Sequence, residues 1–220
     1  MKRLVDEAVR LIKISSISGA GNEEVANYAF SLMESRGLKT TLQQISHSYE
    51  NISKKQFNVL GILGDPLVDR KIKKGVLLVS SLDTADPGRS QAWTKTKHDP
   101  LSLSEQDGQI YGLGVTTGKI DFLCKLWATQ KFRDAKLKMP VYLVGVGGSE
   151  LGGLGAKFLI QSHALNPCAV VLGAPTSLSL VTQSPCYINV RVKILFHVVD
   201  RDARGFNRKV TLIHLSLIHI

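Results

Sequence analysis

The most chemically suggestive stretch of this chain is Gly145-Val146-Gly147-Gly148-Ser149-Glu150, which follows one apolar run and precedes another. A serine so placed could be a nucleophile, with helix N-terminal amides to hold an oxyanion. Activation needs a base, and no His or Lys stands at an identifiable position to supply it. The reading for Ser149 is therefore an N-cap. The same glycines could cradle a phosphate, but a Walker-type Lys-Ser/Thr pair is missing and the spacing fits no nucleotide fingerprint. His98-Asp99, His163, Asp86 and Asp121 are the remaining groups that could hold a metal. Each reads as a separate surface side chain, Asp121 as a favourable charge at a helix start.

Such residues need a frame, and the composition allows one. The chain has 220 residues, 44% hydrophobic and 21% charged. That suffices for one domain with a core and the start of a second. Cys124, Cys168 and Cys186 have no paired spacing, which excludes a disulfide framework. Cys124 and Cys168 are expected to be buried small hydrophobes. The formal net charge is +10, yet the basic residues are scattered, as at Lys54, Lys55, Arg70, Lys73 and Lys95. Aromatics are not interleaved with them as a stacking platform requires, so no nucleic-acid partner is expected. The leading MKRLVDEAVRLIK carries Asp6 and Glu7 and is no secretory signal. No run approaches the roughly 18–20 apolar residues of a membrane span. A cytoplasmic protein with no membrane partner is expected.

Periodicity places the elements. Val5, Val9, Leu11 and Ile12 predict a helix over 3–14. Asn22 is expected to cap a second helix with Val25, Tyr28, Ala29 and Leu32 on one face, and Gly37 to end it. Strands are predicted at 38–45 and 56–63, with a loop from Asp65 to Gly75. Val76–Val79, Val141–Val146 and Ala169–Leu172 are short apolar runs expected to be strands buried on both faces. Residues 84–110 read mostly as loop, ending in a short strand near Ile110-Tyr111. Helices are expected at 119–132 and from Glu150 to Gln161, and a long half-exposed strand at 187–199. The pattern argues an α/β fold. The closing Leu215-Ser216-Leu217-Ile218-His219-Ile220 resembles translated adapter sequence, so 212–220 is expected to be artefactual and the chain truncated.

Four segments, in order, carry a family pattern. They are Ser80-Ser81-Leu82-Asp83-Thr84-Ala85-Asp86-Pro87-Gly88, the run Asp107 to Lys119 containing Tyr111-Gly112-Leu113-Gly114-Val115-Thr116-Thr117-Gly118, Gly148-Ser149-Glu150-Leu151-Gly152-Gly153-Leu154-Gly155-Ala156, and Gly173-Ala174-Pro175-Thr176-Ser177-Leu178. Together they resemble the zinc-dependent family of acetylornithine deacetylase, succinyl-diaminopimelate desuccinylase, aminoacylase-1 and carboxypeptidase G2, over about residues 3–200.

The resemblance implies a central mixed sheet with helices on both faces. Residues 1–183 would be the N-terminal portion of a catalytic domain, and 184–220 the start of a lid or dimerisation domain. It also implies two zinc ions, a Glu acting as general base, an N-acyl amino acid or small peptide as substrate, and a homodimer when full length. By the resemblance, the first-ligand His falls on Ser81, with its orienting Asp retained as Asp83. The bridging Asp falls on Thr117, the general-base Glu on Ser149, and the next acidic ligand on Ala174. Of the four ligand positions within the chain, only Glu150 is retained.

A structural zinc site is worth about 10–16 kcal/mol, or roughly 3 kcal/mol per ligand. Hydroxyls are poor substitutes for imidazole or carboxylate. Loss of the base alone costs on the order of 10²–10⁴ in rate. No cofactor is expected to bind well. The expected protein is a non-catalytic relative that keeps the cleft, the alternatives being a hydrolase with a rebuilt site and a fragment without function.

Overall fold

Apolar strand runs need cover on both faces, and helices supply it here. The computed structural model describes residues 2–46, 54–68, 71–177, 179–183, 189–201 and 207–219. Helices α1 (Lys2–Lys13) and α2 (Glu23–Glu34) lead into strands β1 (Lys39–Ile45) and β2 (Gln56–Leu63). A small hairpin, β3 (Leu67–Val68) and β4 (Lys71–Ile72), interrupts the expected loop before β5 (Gly75–Ser81). A second hairpin, β6 (Ser104–Gln106) and β7 (Gln109–Tyr111), precedes α3 (Lys119–Gln130). Then come β8 (Val141–Val146), α4 (Leu154–Gln161) and β9 (Pro167–Leu172).

The main sheet is mixed, in the order β1-β2-β8-β5-β9. β5 runs parallel to β8 and β9, while β1–β2 and β2–β8 are antiparallel. Side chains alternate across a strand, so the sheet feeds two cores. On one face Val59, Leu63 and Leu143 pack with Leu11, Val25, Met33, Phe122 and Leu126 of α1, α2 and α3. On the other, Leu60, Leu77, Tyr142, Val144 and Val146 pack with Leu159 of α4. Each fully buried aliphatic side chain contributes about 1.5–3 kcal/mol. The fold is thus α/β with helices on both faces.

Residues Met1–Pro175 form one unit and Thr176–Ile220 a second. In the second, β10 (Asn189–Arg201) pairs antiparallel with β11 (Asn207–His219).

Several expectations are corrected. The helix expected at 3–14 is present; of its four apolar positions Leu11 and Ile12 are buried and Val5 and Val9 exposed, with Ala8 completing the inward face. Beside Ala8, Glu7 is buried as well. It accepts hydrogen bonds from Arg36 Nη2 at 2.7 and 2.6 Å and from Trp127 Nε1 at 2.9 Å. Arg36 is buried, lies over the Trp127 ring and also reaches Gln130. One ion pair therefore ties α1, the end of α2 and α3.

Asn22 precedes α2 but makes no cap bond. Its amide instead pairs with the Phe57 backbone, donating to the carbonyl at 2.8 Å and accepting from the N–H at 2.7 Å. The fourth helix begins at Leu154, not Glu150, because Gly152 and Gly153 take left-handed φ values of 69° and 70°. Strand β9 is exposed throughout, not buried: it forms an edge of the sheet, with Leu172 69% exposed. Cys168, on that edge, and Cys124, on the outer side of α3, are exposed as well. Cys186 lies outside the described residues.

Candidate functional site

The parallel strands β5, β8 and β9 all end on one side of the sheet, where α/β folds gather ligands. Ser81 closes β5, the turn bearing Ser149 and Glu150 follows β8, and Ala174 follows β9. Thr117 lies in the turn just before α3. All of the positions singled out by the resemblance therefore share one end of the sheet.

Their contacts are specific. Ser81 Oγ donates to Asp83 Oδ1 at 2.7 Å, and the Ser81 and Ser149 hydroxyls are 2.8 Å apart. The Ser149 N–H donates to Asp83 Oδ2 at 2.9 Å, and the Ser18 hydroxyl donates to the same oxygen. Asp83 is only 3% exposed. Burial pushes its carboxyl up from the ordinary range, against the opposing hydrogen bonds from Ser81 and Ser149. Ser149 is thus not a helix cap; it joins the Asp83 network.

Thr117 is exposed, and its neighbour Gly118 lies hard against β5. A Cβ at Gly118 would stand 2.2 Å from the Ser81 carbonyl oxygen. Gly118→Ala should destabilise the protein by roughly 1–3 kcal/mol, the usual cost of overpacking. An unchanged urea midpoint would contradict that close approach.

Gly173, just before Ala174, packs on the Asp121 carboxylate. Asp121 accepts from Ser80 Oγ at 2.5 Å and from Lys125 Nζ at 2.7 Å. The buried Lys125 ammonium also reaches the Val79 carbonyl at 2.6 Å. Asp121 stands in the first turn of α3, as expected, and it also fastens α3 to the end of β5. Glu150 and Ala174 are exposed.

Sequence reasoning missed Ser18, Ser80 and Lys125. The i, i+4 spacing of Asp121 and Lys125 was the one signal available for the pair. Lys119 is 1% exposed and donates to the Ile14 carbonyl at 2.6 Å. Desolvation pulls its ammonium down to about 8.

The donor set does not fit a zinc pair. At the positions that the resemblance aligns with ligands, Ser81 and Thr117 present hydroxyls, Ala174 a methyl group and Glu150 alone a carboxylate, and the Asp83 oxygens are taken up by three neutral donors. Among the described residues, no group of three or more His, Cys, Asp or Glu is placed to hold a metal. His98 and His163 lie on separate exposed turns. Beside Thr117, a cavity of about 270 Å³ is lined by Trp93, Lys95, Ile110, Tyr111, Val115 and Thr116, among others. Among the described residues, no helix is long and apolar enough to cross a membrane.

Comparison with known proteins agrees with this architecture. The model of peptidase family M20/M25/M40 matches residues 77–206. An acetylornithine deacetylase of Buchnera aphidicola subsp. Schizaphis graminum (strain Sg) is 29% identical over 164 residues, which is 74% of this chain and 40% of that protein. The M20 family metallo-carboxypeptidase Sso-CP2 of Sulfolobus solfataricus superposes with a TM-score of 0.63 at 21% identity, over 89% of this chain and 42% of that one. Human carnosine dipeptidase 1 gives 0.61 at 19% identity, over 89% and 45%. The chain thus spans less than half the length of these relatives.

Proposed function

This chain belongs to peptidase family M20/M25/M40, and we propose that within it the chain is a binding relative and not a hydrolase. The observation that carries the reading is the Ser81–Ser149 contact at 2.8 Å. By the family pattern a ligand His and the general base would stand there. Two neutral hydroxyls, bonded to each other, offer neither a zinc ligand of useful strength nor a base. Thr117 and Ala174 remove two further ligands, and Glu150 alone cannot hold an ion pair of metals.

On this reading a binding cleft is kept while the chemistry is gone. Its ligand would be an N-acyl amino acid or small peptide, in keeping with the acetylornithine deacetylase and dipeptidase relatives. The cavity beside Thr116 carries Lys95 and two aromatic residues, Trp93 and Tyr111, a lining suited to a carboxylate with an apolar group. Residues 184–220 would begin the lid or dimerisation domain, and the full-length form would be a cytoplasmic homodimer.

The test is metal content after zinc loading and desalting, with turnover of N-acetyl amino acids and dipeptides on the same sample. The expected result is no retained zinc and no turnover. About two zinc ions per chain with chelator-sensitive turnover would replace this reading with a hydrolase whose site has been rebuilt. Absence of any ligand binding would favour a fragment without function.

A further inference from the structure

We propose that the loops at the carboxyl end of the sheet are held by a hydrogen-bonded knot around Asp83, in place of a metal ion. The inference rests on the reading above that the centre holds no zinc. Asp83 supplies only acceptors, with about four lone-pair sites on two oxygens. Three of its donors come from three distinct segments: Ser18 after α1, Ser81 at the end of β5, and the Ser149 N–H after β8.

Direction follows from the proton count. Ser81 spends its one proton on Asp83, so the Ser149 hydroxyl proton is the one left to bridge the 2.8 Å between them. The chain of donation runs from Ser149 to Ser81 to Asp83. Ser18 and Ser149 lie 65 and 66 residues from Asp83, on opposite sides in sequence. One buried acceptor thus joins two segments that share no hydrogen bond with each other among the described residues, and adds to the backbone bonds that hold each locally, the Ser18 N–H to the Thr84 carbonyl at 2.8 Å and the Leu82 N–H to the Val146 carbonyl at 2.9 Å. Every donor is a hydroxyl or amide, and with Asp83 ionised these fall in the stronger, charge-assisted class of hydrogen bond.

The experiment is hydrogen–deuterium exchange on the full chain, reading segments 15–20 and 147–151. It compares the parent with Asp83→Ala, each with and without chelator, and measures bound zinc on the same samples. The expected result is a parent unaffected by chelator, and an Asp83→Ala variant in which both segments exchange faster together. The rise should be roughly 10- to 100-fold, the equilibrium equivalent of a hydrogen bond to a charged group. Faster exchange confined to one segment would overturn the knot while leaving the binding relative intact. Zinc retained by the parent, with chelator-sensitive exchange, would overturn both.

Should Asp83→Ala not fold, Ser81→Ala, Ser149→Ala and their double variant are compared in urea. Non-additive effects support the directed chain, and additive ones overturn it.

Discussion

A variant carrying Ser81→His, Thr117→Asp, Ser149→Glu and Ala174→Glu is expected to bind zinc where the parent does not. Three of these changes restore ligand types and the fourth restores a base. At roughly 3 kcal/mol per ligand, three ligands correspond to several orders of magnitude in affinity. The frame for them is present. Ser81 ends one parallel strand, Ser149 and Ala174 each follow another, and Asp83 still accepts a hydrogen bond from position 81. An imidazole there would meet the same carboxylate, the usual outer support of a metal-bound His. Isothermal titration with zinc, alongside circular dichroism to establish folding, reads the result. A folded quadruple variant with no zinc affinity would mean that the four segments do not correspond to the family's ligand positions.

The second large effect concerns Glu7. Glu7→Gln is expected to cost about 3–5 kcal/mol near neutral pH, because it strands the buried Arg36 guanidinium. The loss should depend on pH in a defined direction. Burial alone would raise the Glu7 carboxyl, but hydrogen bonds from Arg36 and Trp127, with the Arg36 charge, more than offset it and hold it below its ordinary value of 4.5. A depressed carboxyl contributes stability that is fully present above the unfolded-state pKa. That stability fades as pH falls through the folded-state pKa. The gap between parent and variant should therefore be fully open and level above about pH 4.5, and close as pH falls below it. Urea unfolding at a series of pH values tests this, and a constant gap would refute the ionised pair.

Much of the frame was legible because strand signals here are dense and local. Val141–Val146 has the predicted bounds, since an unbroken apolar run marks a strand covered on both faces. The same signal misled at β9. Ala169–Leu172 is just as apolar, but sequence cannot say which strand lies at an edge. Periodicity placed α1 but could not show that Glu7 would be buried, because its partner Arg36 lies 29 residues away. Asn22 is a cap by position and a strand partner by contact, a choice settled by Phe57.

At the site, the family resemblance singled out Ser81, Asp83, Thr117, Ser149 and Ala174, and the fold brings them to one end of the sheet. The resemblance could not reveal that Ser18 joins them, because a lone serine in a loop carries no periodic signal. Nor could it show the hydroxyl pair of Ser81 and Ser149, which exists only once β5 and β8 lie side by side.

Among the described residues β9 pairs on one side only, with β5, and this open edge separates two properties that usually travel together. Pro167 removes one amide at the strand's start, but no charged residue guards Cys168 to Leu172. Native proteins blunt such edges with lysines, bulges or a covering element. A substitution that strengthens the interior of this protein leaves that edge unchanged. The yield of monodisperse material will then follow how the edge is shielded, by added charge or by low concentration, and melting temperature will be a poor guide to it.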